Sequence, residues 1–202
     1  MSDPEKSAPE NPAVVLASSS RSRRELLERL GIRFQQDAPR IDESALPGES
    51  PRDLVLRLAR EKAVAVSDAH PAAIIIGSDQ VAVRGDDILG KPGDRDTAVE
   101  QLLESSGQEV RFLTSVYVLD SRTGHTEQYV DITTVRFRAL TPQLVAKYVD
   151  RDRPLDCAGS FRAEGLGIAL FKEINSQDPT ALIGLPLIWL SGVLPGLGVA
   201  LV

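Results

Sequence analysis

The chain has 202 residues, with a formal charge of −6, 42% hydrophobic and 26% charged residues. These proportions fit one or two globular domains and exclude a mostly disordered or fibrous chain. Aromatics at 4%, the acidic balance, one cysteine and two histidines argue against a stacking platform for single-stranded nucleic acid, a large DNA footprint, a disulfide framework and a multi-histidine metal site. The chain reads as an ordinary soluble, cytoplasmic protein.

Residues 1–12 carry Asp3, Glu5 and Glu10 between prolines and read as an acidic leader with none of the marks of a signal peptide. The following residues, 13–202, read as one domain with a soft break near Thr141, and the active cleft is expected between two lobes. Ala13 to Ala17 is a short apolar strand, closed by Ser18-Ser19-Ser20 as helix caps, and Arg23 to Leu30 form a helix stopped by Gly31. Ser50-Pro51 announce a second helix with Leu54, Leu58 and Ala65 on one face and Lys62 nearby. Ala72 to Ile76 is a buried strand ending in Gly77-Ser78-Asp79. A third helix runs from Asp94 to Ser106. Val110 to Leu119 and Gln128 to Phe137 are strands joined by a turn, Pro142 to Val149 is helical, and Ile168 to Ile174 is a last strand.

Pro179 to Val202 holds no charged residue, but Pro186, Pro195 and four glycines break it. A buried turn and a packed helix are expected there rather than a membrane span. Alternating strands and helices give an α/β fold, with α+β as the alternative.

Five segments carry candidate chemistry. The serines and arginines of 18–24 sit at a strand-to-helix junction, where free N–H groups, hydroxyls and guanidinium groups suit phosphate oxygens; a plain serine cap with solvated arginines fits equally well. Asp79, at the carboxyl end of a buried strand, can hold a cation or take a proton from water, or simply form a turn. Lys91, pinned between Gly90 and Pro92, suits a phosphate contact. Asp42-Glu43 offers a second carboxylate for a hard cation, or an exposed acidic loop. In Cys157 to Gly167, glycines permit close ligand approach and Glu164 can accept from the amino or imino groups of a base, whereas Cys157 reads as a small hydrophobe.

Taken together the chain resembles the Maf family of nucleoside triphosphate pyrophosphatases. The matching pieces are Leu16-Ala-Ser-Ser-Ser with Arg23-Arg24-Glu25-Leu26-Leu27, Asp42-Glu43, Leu58-Ala-Arg-Glu-Lys62-Ala63, Ile76-Gly-Ser-Asp79-Gln80-Val81, Gly90-Lys91-Pro92, Thr134-Val-Arg-Phe-Arg138 and Gly184-Leu-Pro186. They fall in family order from about 13 to 198. Cys157-Ala-Gly-Ser-Phe161 and Glu164-Gly-Leu-Gly-Ile168 resemble the subgroup acting on 7-methyl-GTP; the subgroup acting on dTTP and UTP carries glutamine at the position of Glu164.

The resemblance implies an elongated mixed sheet with flanking helices and a central nucleotide-binding cleft, and hydrolysis of 7-methyl-GTP to 7-methyl-GMP and pyrophosphate. It implies Asp79 as proton acceptor, Glu43 and Asp79 as ligands of a divalent cation (Mg2+ or Mn2+), and Ser18, Arg23, Lys62 and Lys91 on the phosphates. Ser22, Gln80 and Glu164 are then the specificity positions. The expected partner is a small-molecule nucleoside triphosphate, with no nucleic acid and no membrane, and a homodimer is left open. Arg21 stands where the family usually has proline, and Ser22 where the 7-methyl-GTP subgroup often has an aromatic ring to stack on the cationic base. A dTTP/UTP or broader modified-nucleotide pyrophosphatase, and a non-catalytic nucleotide-binding regulator of cell division, are the alternatives.

Overall fold

The computed structural model describes residues 11–201, so residues 1–10 of the expected leader and Val202 lie outside the described residues. The fold is mixed α/β. Among the described residues seven strands form one sheet in the order β2-β1-β3-β5-β6-β7, with β4 paired to β3. Strand β1 (Ala13–Ala17) buries Val14 to Ala17 and runs parallel to both β2 (Gln35–Asp37) and the first part of β3 (Ala73–Arg84). Strands β4 (Asp87–Leu89), β5 (Glu109–Asp120), β6 (His125–Phe137) and β7 (Phe171–Asn175) continue the sheet antiparallel.

Among the described residues five helices flank it: α1 (Arg21–Glu28), α2 (Pro51–Ser67), α3 (Arg95–Glu104), α4 (Pro142–Asp152) and α5 (Leu187–Val193). Their starts follow the caps. Ser20, Ser50, Asp94 and Thr141 each accept from the backbone N–H three residues on, which satisfies a donor the helix itself leaves orphaned. Helix α1 therefore begins at Arg21, two residues before the expected start, because Ser20 is its cap. The chain turns out of it at Gly31 (φ 68°), whose N–H donates to the Glu28 carbonyl.

Strand β3 corrects the expectation that a strand ends at Ile76. It continues through Gly77, Ser78 and Asp79 to Arg84, because the ladder to β5 is unbroken from Ile74 to Val83 and Val81 to Val83 are buried. Gly77 is required within it. A Cβ there would overlap the Ala59 carbonyl oxygen and lie 2.9 Å from the Ala63 nitrogen, so its absence lets α2 lie directly on the strand. The last strand starts at Phe171 rather than Ile168, since 166–170 form a 3-10 turn. Within that turn, a Cβ on Gly167 would overlap the Arg162 carbonyl. Edge strands β2 and β4, three residues each, are too short to show an alternating pattern.

The two sheet faces differ in cover. Helix α2 covers one face, joined by Ile41 from the loop before it, packing Ala59, Ala63 and Val66 on Ile75 and Tyr117, and Leu54, Val55 and Leu58 on Val81 and Leu113. Each such Val or Leu contributes roughly 1.5–3 kcal/mol of burial. The other face carries two cores. One joins α1 and α5 to Leu16, Ile76 and Val116; the second joins α3 and α4 to Ala82, Phe112 and Val135. Between those cores Ser78, Thr114, Asp131 and Thr133 are buried, and on the α2 face Asp79 and Ser115 are buried likewise. A polar band thus crosses the middle of the sheet on both faces. Among the described residues, no helix is long and apolar enough to cross a membrane; the apolar tail folds as 3-10 turns at 181–183 and 194–197 around α5.

Candidate active site

Strand β3 changes partner along one edge. Residues 73–77 pair with β1 and 82–84 with β4, so no described strand covers 78–81 on that edge. Asp79 stands in this gap. Its carboxylate Oδ1 accepts from the Lys62 ammonium of α2 at 2.7 Å, and the same ammonium donates to Glu43 Oε1 at 2.9 Å. Lys62 and Asp79 are both nearly buried, while Glu43 reaches in from the loop before α2, half-exposed. One cation therefore already joins two carboxylates drawn from a loop and a strand.

Arg23 comes from α1. Its Nε donates to the Gly184 carbonyl at 3.1 Å and its Nη1 to Ser18 Oγ at 3.4 Å. Burial pushes the guanidinium pKa down, and the charges of Asp79 and Glu43 act against that. Burial likewise works to raise the Glu43 carboxyl, but the Lys62 hydrogen bond and charge, with Lys91 and Arg23 beyond, hold it below the ordinary glutamate value. Arg23, Lys62 and Lys91 thus all act on Glu43, and these three cations with Glu43 and Asp79 make one more cation than anion in a chain of charge −6. Such a local excess of positive charge suits an anion bearing several charges.

Of the arginines near the serine run, only Arg23 turns inward. Arg21 pairs with Glu25 and Arg24 with Glu28, four residues apart on the exposed face of α1. Ser18 is buried and its Oγ also accepts from the Ser20 N–H at 3.1 Å. Ser22 Oγ donates to Glu164 Oε1 at 2.8 Å, linking α1 to the turn before 166–170. Lys91 is exposed just past β4.

Gln80 is placed apart from the others. Neighbouring residues in a strand face opposite ways, so Gln80 points to the face opposite Asp79. Its amide nitrogen donates to Thr114 Oγ1 at 2.8 Å and to the Ala181 and Leu182 carbonyls at 2.9 and 3.2 Å. There it holds the 181–183 turn against the sheet. Cys157 is half-buried, and that burial pushes its thiol up to about 11, which leaves it protonated and a poor nucleophile at neutral pH.

The sequence marked Gly184-Leu-Pro186 only as a family motif and gave no sign that this segment supports Arg23. The Gly184 carbonyl accepts from Ser78 Oγ at 2.9 Å as well as from Arg23. Asp178 fixes this turn, accepting from the Thr180 N–H and hydroxyl and from the Ile188 N–H at 3.0, 2.6 and 2.7 Å. Asp178-Pro-Thr180 is a recognisable turn signal, but nothing local says that the turn meets Arg23, 161 residues away in sequence.

A hard-cation site fits the donor set of two carboxylates. Glu43 and Asp79 converge on one point, now taken by Lys62 Nζ. Two carboxylates suit a cation that takes its remaining oxygens from phosphates and water. No group of three or more metal-ligating side chains occurs among the described residues.

The chain is 53% identical over 192 residues to a protein of Alcanivorax borkumensis named 7-methyl-GTP pyrophosphatase, covering 95% of this chain and 98% of that one. It is 53% identical over 186 residues to a protein of Pseudomonas putida with the same name, covering 92% and 97%. In fold it is similar to the Staphylococcus aureus Ham1 protein, with a TM-score of 0.54 at 12% identity, over 91% of this chain and 98% of that one. The family model described as Maf-like protein matches residues 13–197, and the chain belongs to the Maf family.

Proposed function

We propose that this protein hydrolyses 7-methyl-GTP to 7-methyl-GMP and pyrophosphate, in the cytoplasm, clearing a modified nucleotide. The observation that carries the reading is the Lys62 ammonium shared by Glu43 and Asp79 in the gap of the sheet, with Arg23 beside it. The relatives named for this activity, at 53% identity over more than nine-tenths of the chain, support it.

In this reading the triphosphate enters along the open edge of β3. Lys62, Arg23 and Lys91 neutralise its charge and Ser18 donates to a phosphate oxygen, the main task in phosphoryl transfer. Asp79 takes a proton from the water that attacks the α-phosphorus, the bond between the α- and β-phosphates breaks, and pyrophosphate leaves. Glu43 and Asp79, with the phosphates, are the residues that fit Mg2+ or Mn2+, which when bound supplies further charge neutralisation at the phosphoryl oxygens.

Glu164, tied to Ser22, is the group we assign to the base. A carboxylate accepts from the N1–H and amino group of a cationic, methylated guanine. Glutamine there would suit a pyrimidine edge, so Glu164 favours the purine over the dTTP/UTP reading. Gln80, turned to the opposite face, serves specificity only through the 181–183 turn that it holds.

Pyrophosphate release from 7-methyl-GTP, GTP, dTTP, UTP and CTP, with and without Mg2+, tests the reading. Metal-dependent release fastest with 7-methyl-GTP is expected. Fastest release from dTTP or UTP overturns the base assignment, and binding without release from any nucleotide favours the regulator.

A further inference from the structure

Ser115 lies directly across the ladder from Asp79 on β5, so both side chains stand on the face covered by α2, with Cβ atoms about 4.5–5.5 Å apart. It is wholly buried. Its hydroxyl has no hydrogen-bond partner, and among the described residues only one other buried side-chain polar atom shares that condition. Above and below it on the same face, Leu113 and Tyr117 belong to separate apolar clusters. The hydroxyl thus occupies a position where an alanine would pack as well and leave no unmet polar group.

Its neighbour has complementary capacity. Among the described residues Lys62 is the only side chain that donates to the Asp79 carboxylate, and it does so at Oδ1. Asp79 Oδ2 therefore holds unspent acceptor capacity, across the ladder from a hydroxyl with an unspent proton. In the reaction proposed above Lys62 must also serve the triphosphate. As its ammonium turns to the phosphates, Asp79 loses the contact that fixes its side chain.

We infer that Ser115 is a positioning residue: its hydroxyl donates to Asp79 when Lys62 engages the triphosphate, and so holds the carboxylate aimed at the attacking water. This rests on the pyrophosphatase reading. It assigns Ser115 no contact with the nucleotide.

The test is steady-state pyrophosphate release by the full chain carrying Ser115→Ala or Ser115→Cys. The first deletes the hydroxyl and the second keeps the volume with a weaker donor. Both are expected to lower kcat by about 10- to 100-fold, as a loosened reacting group does, with KM within about twofold of the parent. The melting temperature of Ser115→Ala is expected to be unchanged or higher, because an orphaned hydroxyl is removed. Unchanged kcat in both variants overturns the inference while leaving the function intact. So does a fall in kcat accompanied by a raised KM and a lowered melting temperature, which marks a merely structural role. Absence of pyrophosphate release from the unmodified chain removes the functional reading and this inference with it.

Discussion

Lys62 and Asp79 form an ion pair at 2.7 Å, with side chains 6% and 9% exposed, between a helix and a strand whose close approach at Gly77 leaves no room for a side chain there. Breaking such a pair from one side leaves a buried charge unmatched and costs about 3–5 kcal/mol. That cost is borne differently by the two partners, since Asp79 also faces the gap. Asp79→Asn retains the shape and a hydrogen-bonding group. It is expected to lower kcat by about 10²–10⁴-fold, the usual contribution of a general base, while nucleotide still binds in an equilibrium titration. Normal turnover by Asp79→Asn would refute the role given to this carboxylate.

Gly77→Ala is a test of the fold beneath the site. The added methyl meets the backbone at Ala59 and Ala63, which cannot rotate away as a side chain can. The expected loss is at the upper end of the roughly 1–3 kcal/mol typical of overpacking, read as a lower urea midpoint, with activity lost in parallel as α2 and Lys62 are displaced.

Asp178→Ala should act at a distance. It removes three hydrogen bonds that shape the turn before α5, each buried donor costing about 1–3 kcal/mol when left unmade. The Gly184 carbonyl then no longer fixes Arg23 and Ser78. A raised KM for nucleotide together with a lowered melting temperature is expected; a stable variant with the parental KM would show that the turn does not set Arg23.

Glu164→Gln leaves the fold untouched, because Glu164 is exposed and an amide oxygen can still accept from Ser22. The ratio of kcat/KM for 7-methyl-GTP over dTTP is expected to fall by at least about 10-fold, the scale of one mismatched polar contact of about 1.4 kcal/mol. An unchanged ratio would remove Glu164 from base selection.

The buried Asp131 gives a pH signature. Burial raises its carboxyl pKa, Thr133 donating to it acts against that, and the charge of Asp178 adds to the rise. A folded-state value above the unfolded one means that its stabilising contribution is present at low pH and is lost as pH rises through the folded value. Asp131→Asn removes the buried charge and keeps an oxygen for the Thr133 hydroxyl. The variant should therefore be more stable than the parent at pH 7, by a margin that shrinks as pH falls to the ordinary carboxylate value; urea unfolding at several pH values measures it, and a variant less stable throughout would contradict it. Groups held in the opposite sense, such as Glu49, pulled down to about 2 by the Arg57 hydrogen bond, lose their contribution as pH falls through that low value.

The sequence by itself determined the local elements and the kinds of chemistry available. Ser20, Ser50-Pro51, Asp94 and Thr141-Pro142 mark helix starts because capping is a contact over three residues, and Ala13 to Ala17 mark a strand because burial on both faces leaves a continuous apolar run. The carboxylates, lysines and serines of the site were legible as residue types for the same reason. What only the tertiary structure decided was their company. Strand β3 runs on past Ile76 because β5 pairs with it from 28 to 40 residues away in the chain, a fact no local pattern carries. The change of partner from β1 to β4 opens the edge where Asp79 stands, and the close approach at Gly77 delivers Lys62 to it. The alternation of side chains along β3 separates Gln80 from Asp79, although they are adjacent in sequence. Ser115 has no motif of its own and gains its meaning only from ladder register, since long-range pairing fixes which side chains share a face.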